Sequence, residues 1–351
     1  MDERKKVFAH RLLNARKMRC LSQRELYEKL NGLVSANAIA KYETGKMLPS
    51  STVLLALADA LGMSVDYFFR PFSITVASEA WEFRKKSALG AKKIEAIKKI
   101  VMVEIEKYAE IEDVLGGSRS FSLQYDTVVA SEQDARVMAI RLRDDLRLGR
   151  DSISSPIELL ESQGVRIVEI DADEKFDGTS TMAGNVPVIV LNKAMIPERK
   201  RMTLFHELGH LLLHFPEDAD KEKLCNVFAN EVLIPSDVFM AMVGSSRRDI
   251  SLPELRAIQM GFGVSVDALM VKANQLNIIS ASRLLGYYKK KNKFPNFKTE
   301  VQLSRYCNDE QSTRFNRLVF MALANELISF SKAASLLGKS IDEVRNELNL
   351  L

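Results

Sequence analysis

The chain has 351 residues, longer than one domain usually runs, so two or three domains are expected. Its 46% hydrophobic and 27% charged residues suit a globular protein with cores to bury and exclude a disordered or fibrous chain, and no apolar run approaches the roughly 20 residues that span a bilayer. The net charge of +4 is uneven: residues 1–70 carry 12 Lys and Arg against 7 Asp and Glu, which points the N-terminal part at a polyanion.

Residues 3–70 read as five short helices. Ser22 with Glu25 three residues on forms a capping-box start, and helix two runs to Leu30. Asn31-Gly32 makes a turn, Ser35 caps the next helix and Gly45 ends it. Further along, Ile94, Ile97, Val101, Ile105, Tyr108 and Ile111 recur three or four apart, one stripe on a helix that Gly116-Gly117 closes. Its lysines come early and its glutamates late, against the helix dipole, so packing of the stripe decides its fate. Both a linker helix on a neighbour and a dimer-forming helix fit. A polar, turn-rich stretch over 118–130 marks a boundary.

A second unit opens at Ser131, with a helix to about Leu148 and another from Ser155-Pro156 to Gly164. Val165 to Ile170 reads as a strand and Asp177-Gly178 as a turn. Val186 to Leu191 reads as a short strand in which Pro187 suggests an edge or a start. Helices follow from Pro197 to Pro216 and from about Asp220 to Leu233. Beyond 236 the chain reads as short helices, with Lys289-Lys290-Lys291-Asn292-Lys293 in an exposed loop. Cys20, Cys225 and Cys307 are far apart, with no CxxC pair, as suits reduced thiols. MDERKKVFAH lacks the apolar core of a signal peptide, so the expected location is the cytoplasm.

The sharpest signal is His206-Glu207-Leu208-Gly209-His210. Residues i and i+4 lie about 6 Å apart along one helix face, so two imidazoles can converge on one cation. The glutamate beside the first histidine can take a proton from an attacking water and pass it to a leaving amine. Two nitrogens and one oxygen suit Zn2+, although iron and manganese fit the same donors. His214 continues the series but lies about 12 Å from His206 along the axis, too far to share an ion, which leaves it as a transition-state donor, a support for the ligands or a helix-end cap. The third ligand is expected from the following helix, as Glu222 or, second, Glu231.

The segments RKRMTLFHELGHLLLH and EKLCNVFANEVLIP resemble the signature of the ImmA/IrrE family of metallopeptidases, over roughly residues 130–275. The resemblance implies His206, His210 and Glu222 as zinc ligands, Glu207 as the catalytic glutamate, and cleavage of a repressor protein as the role. A substrate strand is expected beside the metal on an edge strand, with Val186–Leu191 as candidate. Residues 8–69, through LSQREL, IAKYETG and LADALG, resemble the Cro/repressor helix-turn-helix family. That implies operator DNA as partner, with Asn37 and Lys41 toward bases or phosphate, Ser35 at the helix start, and Gln23 and Arg24 on the backbone.

The expected fold class is α+β, mainly helical: an all-α helix-turn-helix domain over 1–71, a helical linker over 72–130, a zincin-like peptidase domain with a small sheet over 131–275, and a helical or mixed module over 276–351. The last could sense a ligand, dimerise or shield the site. The expected function is a DNA-binding regulator, possible as a homodimer, whose zinc endopeptidase cuts a separate repressor or its own linker. Alternatives are a silent repressor whose zinc domain senses or scaffolds, an antitoxin of a toxin pair, and a hydrolase of non-peptide substrates. The intact Glu207 favours working chemistry.

Overall fold

The computed structural model describes residues 2–71, 90–117 and 120–348. The chain packs as two compact units, one comprising Met1–Arg119, Met182–Asn185 and Thr313–Leu351, the other Ser120–Thr181 and Val186–Ser312. The first unit begins with α1 (Glu3–Met18), α2 (Gln23–Lys29), α3 (Ala36–Glu43), α4 (Ser51–Leu61), a 3-10 turn over Asp66–Phe69, and α5 (Ala91–Val114). In the second lie α6 (Glu132–Asp145), α7 (Pro156–Ser162), β1 (Arg166–Ile170), β2 (Gly178–Ala183, all but its last two residues), β3 (Val186–Asn192), α8 (Pro197–Leu212), α9 (Lys221–Leu233), α10 (Ser236–Val243), α11 (Leu252–Phe262), α12 (Val266–Gln275), α13 (Ala281–Lys293) and α14 (Pro295–Gln302). The first unit ends with α15 (Arg314–Ala324), α16 (Phe330–Leu337) and α17 (Ile341–Leu348). The protein is thus mainly helical with one small sheet.

The helix-turn-helix part follows its caps. Ser22 and Glu25 make both bonds of a capping box, and the Ser35 hydroxyl accepts from Ala38 N. Asn31 and Gly32 both take positive φ, which turns the chain between α2 and α3. Phe8, Leu12, Leu26, Ile39, Leu57, Leu61 and Phe68 fill the core.

The stripe on α5 is buried within this unit, as Ile97, Val101, Ile105, Tyr108 and Ile111 show. Its reversed charge order has a tertiary cause. Glu106 pairs with Arg11 at 2.6 Å, Glu112 with Arg314 at 2.7 Å, and Glu110 with Lys332. These partners outweigh a dipole effect of a few tenths of a kcal/mol to about 1 kcal/mol. Part of the expected linker, 72–89 and 118–119, lies outside the described residues. The expected module over 276–351 divides at about 312. Tyr287 of α13 and Val301 of α14 enter the core of the second unit, whereas Val319, Ala322, Leu336 and Val344 pack around Ile111 of α5. The lysine run expected in a loop is the last turn of α13, because Pro295 stops that helix only after Lys293.

In the second unit the strand order is β1-β3-β2. β1 and β3 run parallel in the register Arg166↔Val188 to Ile170↔Asn192. β2 and β3 are joined by the two-residue turn Gly184-Asn185, a connection that only antiparallel strands allow. β3 is therefore the central strand, which corrects the expectation that Val186–Leu191 is an edge. Pro187 is tolerated because the ladder to β1 begins one residue later, at Val188, so no N–H is missed there. The edges are β1 and β2.

α8 packs on α9 at close range. A Cβ on Gly209 would meet Cys225 Sγ and Phe228 Cδ1 at 3.2 Å each. The first turns of α8 are held by buried charges. Glu198 accepts from Ser304 Oγ, Gln259 Nε2 and the Arg305 and Tyr306 amides. Lys200 donates to Glu169 and to Glu310 O, and Arg201 to Glu310, Tyr306 Oη and the carbonyls of Ile153 and Phe262. Segment 303–312 is thereby strapped across the start of the helix that carries the site. No single helix among the described residues is long and apolar enough to cross a membrane.

Candidate metal centre

α8 presents His206, Glu207 and His210 from a helix buried along most of its length. It ends at Leu212, earlier than the sequence suggested, because Leu213 turns extended and His214 pairs with Val128 in a parallel bridge. His214 is consequently exposed and stands outside the cluster described next. α9 begins at an Asp220 cap, whose carboxylate accepts from Lys223 N, and places Glu222 in its first turn.

One ligand atom from each of His206, His210 and Glu222 lies within 4.8 Å of the others. His206 Nε2 and His210 Nε2 are 3.0 Å apart, and the Glu222 carboxylate stands 3.4 Å from His210 Nε2 and 3.6 Å from His206 Nε2. Donors about 2.0–2.1 Å from a tetrahedral zinc are separated from one another by about 3.3 Å. The three spacings bracket that value, so the residues fit the metal.

Asn226, one turn beyond Glu222 on α9, supplies a contact that the sequence alone does not assign. Its Oδ1 accepts from His206 Nδ1 at 2.9 Å. That bond fixes the proton on Nδ1 and leaves the Nε2 lone pair for the cation. The i, i+4 spacing of Glu222 and Asn226 was the signal: two polar groups on one face of an otherwise apolar helix.

Glu231, the second candidate for third ligand, is engaged elsewhere. Its carboxylate accepts from Ser236 N at 2.7 Å, Ser236 Oγ at 2.5 Å and Lys272 Nζ at 2.6 Å. The Glu231–Lys272 pair is buried on both sides, and burial lowers the Lys272 pKa against the opposing pull of Glu231. Nine residues along a helix make two and a half turns, which carries Glu231 to the other side of α9 from Glu222.

Glu207 is buried beside the cluster, and Ser180 Oγ of β2 donates to its Oε2 at 2.9 Å. The edge strand β2 therefore runs next to the carboxylate expected to act as base. The sequence marks the turn at Asp177-Gly178 but not β2, because GTSTMA mixes small and hydroxyl residues without a strong apolar alternation.

In the first unit, Asn37 and Lys41 are exposed on α3, and Ser35 is exposed at its start. Gln23 is committed inward: its Nε2 donates to Glu43 Oε2 at 2.7 Å, and the same carboxylate takes two bonds from Arg16. Gln23 therefore anchors α2 to α3. Arg24 is exposed and lies 3.3 Å from Glu28, a weak surface pair that phosphate can displace.

Residues 12–68 match the family described as helix-turn-helix, HTH_3, and residues 160–274 match Peptidase_M78, the IrrE N-terminal-like domain. A comparison with curated proteins finds no match. The chain carries an N-terminal helix-turn-helix fused to an ImmA/IrrE-type domain.

Proposed function

We propose that this chain, a helix-turn-helix joined to an ImmA/IrrE-type domain, is a DNA-binding regulator whose second unit is a zinc-dependent endopeptidase that cuts a repressor protein. The observation that carries the reading is the convergence of His206, His210 and Glu222 beside a buried Glu207. His206, held by Asn226, would bind the metal with His210 and Glu222. Zinc, when bound, polarises the scissile carbonyl and lowers the pKa of an attacking water.

The protein's own residues do the rest. Glu207 takes a proton from the attacking water and returns it to the leaving amine. Ser180 fixes the orientation of that carboxylate, since its hydroxyl donates to Oε2. β2 is the strand along which a substrate backbone would align by strand addition, in place of β3. Asn37, Lys41, Ser35 and Arg24 are the proposed contacts to the operator, with the N-terminal end of α3 toward the major groove. The cut falls in a partner repressor or in this chain's own segment 72–130, of which 72–89 and 118–119 lie outside the described residues. The proposed domains are 1–71 for DNA, 131–275 for the peptidase, 72–130 as linker and 276–351 for regulation, with the packing divide near 312 noted above.

The test is cleavage by zinc-loaded wild type beside Glu207→Gln, with the chain itself and co-expressed repressors as substrates. The proposal expects a cut that chelator abolishes and that Glu207→Gln lacks while keeping its metal. Equal cleavage by Glu207→Gln would remove Glu207 as base. Metal binding with no cut of any repressor, its own linker included, would favour the silent sensor.

A further inference from the structure

Between Ala281 and Thr299 the chain carries six Lys and Arg and no Asp or Glu. Two of the six are neutralised by neighbours within the second unit: Arg283 by Asp249 at 2.7 Å, and Lys291 by Asp267. The other four, Lys289, Lys290, Lys293 and Lys298, are exposed and make no ion pair among the described residues. Two aromatic rings stand among them. Lys290 Nζ lies 4.3 Å from the Phe297 ring centroid and Lys293 Nζ 5.5 Å from that of Phe294, which is 49% exposed.

The ordinary explanation for lysines at a helix end is the dipole, and it accounts for Lys290 and Lys293 in the last turn of α13. It does not account for Lys298. That residue sits in the first half of α14, where the dipole disfavours a cation, directly after Phe297, whose ring carries Lys290. Four like charges within ten residues repel one another, and no ion pair among the described residues offsets them.

We infer that the α13–α14 corner is a second DNA contact, a sequence-independent phosphate-binding patch that engages duplex flanking the site held by the helix-turn-helix. Flexible ammonium groups on long stems suit phosphate oxygens without reading bases. The first unit brings duplex to the second through the covalent chain, so even a weak patch acts at a high effective concentration. Neither metal binding nor cleavage enters this inference.

The experiment measures binding of the full chain to a random-sequence duplex of about 40 base pairs across a salt series, because neutralised phosphates set the salt slope. The variant is Lys289→Gln/Lys290→Gln/Lys293→Gln/Lys298→Gln, all surface positions, with its melting temperature checked against wild type. The expected slope of log K against log salt is shallower by about 3, so that between about 50 and 200 mM salt the wild type loses about 60-fold more affinity than the variant. An unchanged slope and affinity in a folded variant overturns the inference. So does a variant that keeps its DNA slope but loses binding to polyglutamate, which would make the patch a site for an acidic protein.

Discussion

Replacing Lys272 by Met should unfold the second unit easily without touching the metal ligands. The side chains of Lys272 and Glu231 are 3% and 4% exposed, so the change leaves a buried carboxylate with Ser236 as its one donor among the described residues. Breaking a buried pair from one side costs about 3–5 kcal/mol. In a unit of this size each kcal/mol moves the melting temperature by about 2–4 °C, which gives a fall of about 6–20 °C. Glu231→Gln keeps an acceptor for Ser236 and removes the charge. The double variant Glu231→Gln/Lys272→Met should therefore recover most of the loss, since replacing both partners of a buried pair is often neutral. Scanning calorimetry of wild type, both singles and the double closes the cycle. The reasoning fails if Lys272→Met melts within a degree or two of wild type, or if the double variant is no more stable than Lys272→Met.

Two further outcomes follow from the same geometry. Asn226→Ala should weaken zinc affinity by about 10–100-fold while Asn226→Asp, which keeps the acceptor for His206 Nδ1, retains most of it; a competition titration with a chelator reads both. Acid should loosen the strap on α8. Burial alone would raise the Glu198 pKa, but bonds from Ser304, Arg305 N and Gln259 more than offset it and hold the group below the usual carboxylate range. A depressed folded pKa contributes stability that is complete above the unfolded value, about 4.3, and is lost as pH falls through the folded value. Glu310, raised by burial, acts in the opposite sense, so the readout is the difference between wild type and Glu198→Gln. That difference should shrink below about pH 4, and a constant difference from pH 7 to 3 would refute the assignment.

What the sequence made legible is what local chemistry dictates. The capping serines, the α5 stripe and the HExxH spacing each encode an element within a few residues of themselves. The sequence places Glu222 first and Glu231 second, and only the fold shows what else claims Glu231: Lys272 and Ser236, 41 and 5 residues away from it, occupy its carboxylate. Strand order is nonlocal in the same way. Pro187 is a sound signal for a strand that lacks one ladder bond, yet whether that strand is an edge depends on where β1 and β2 fall. His214 looked helical because nothing in its own sequence announces the bridge to Val128, 86 residues earlier. Gln23 looked like a DNA anchor because Glu43, the group that claims it, lies on the next helix.

The most direct test of the central claim is the metal content of purified wild type beside Glu222→Ala and His210→Ala, by elemental analysis after dialysis. The account predicts about one zinc per chain in wild type and a loss in both variants, with all three proteins folded. Wild type that takes up no zinc even when zinc is supplied, or a Glu222→Ala variant that holds it as tightly, would contradict the account.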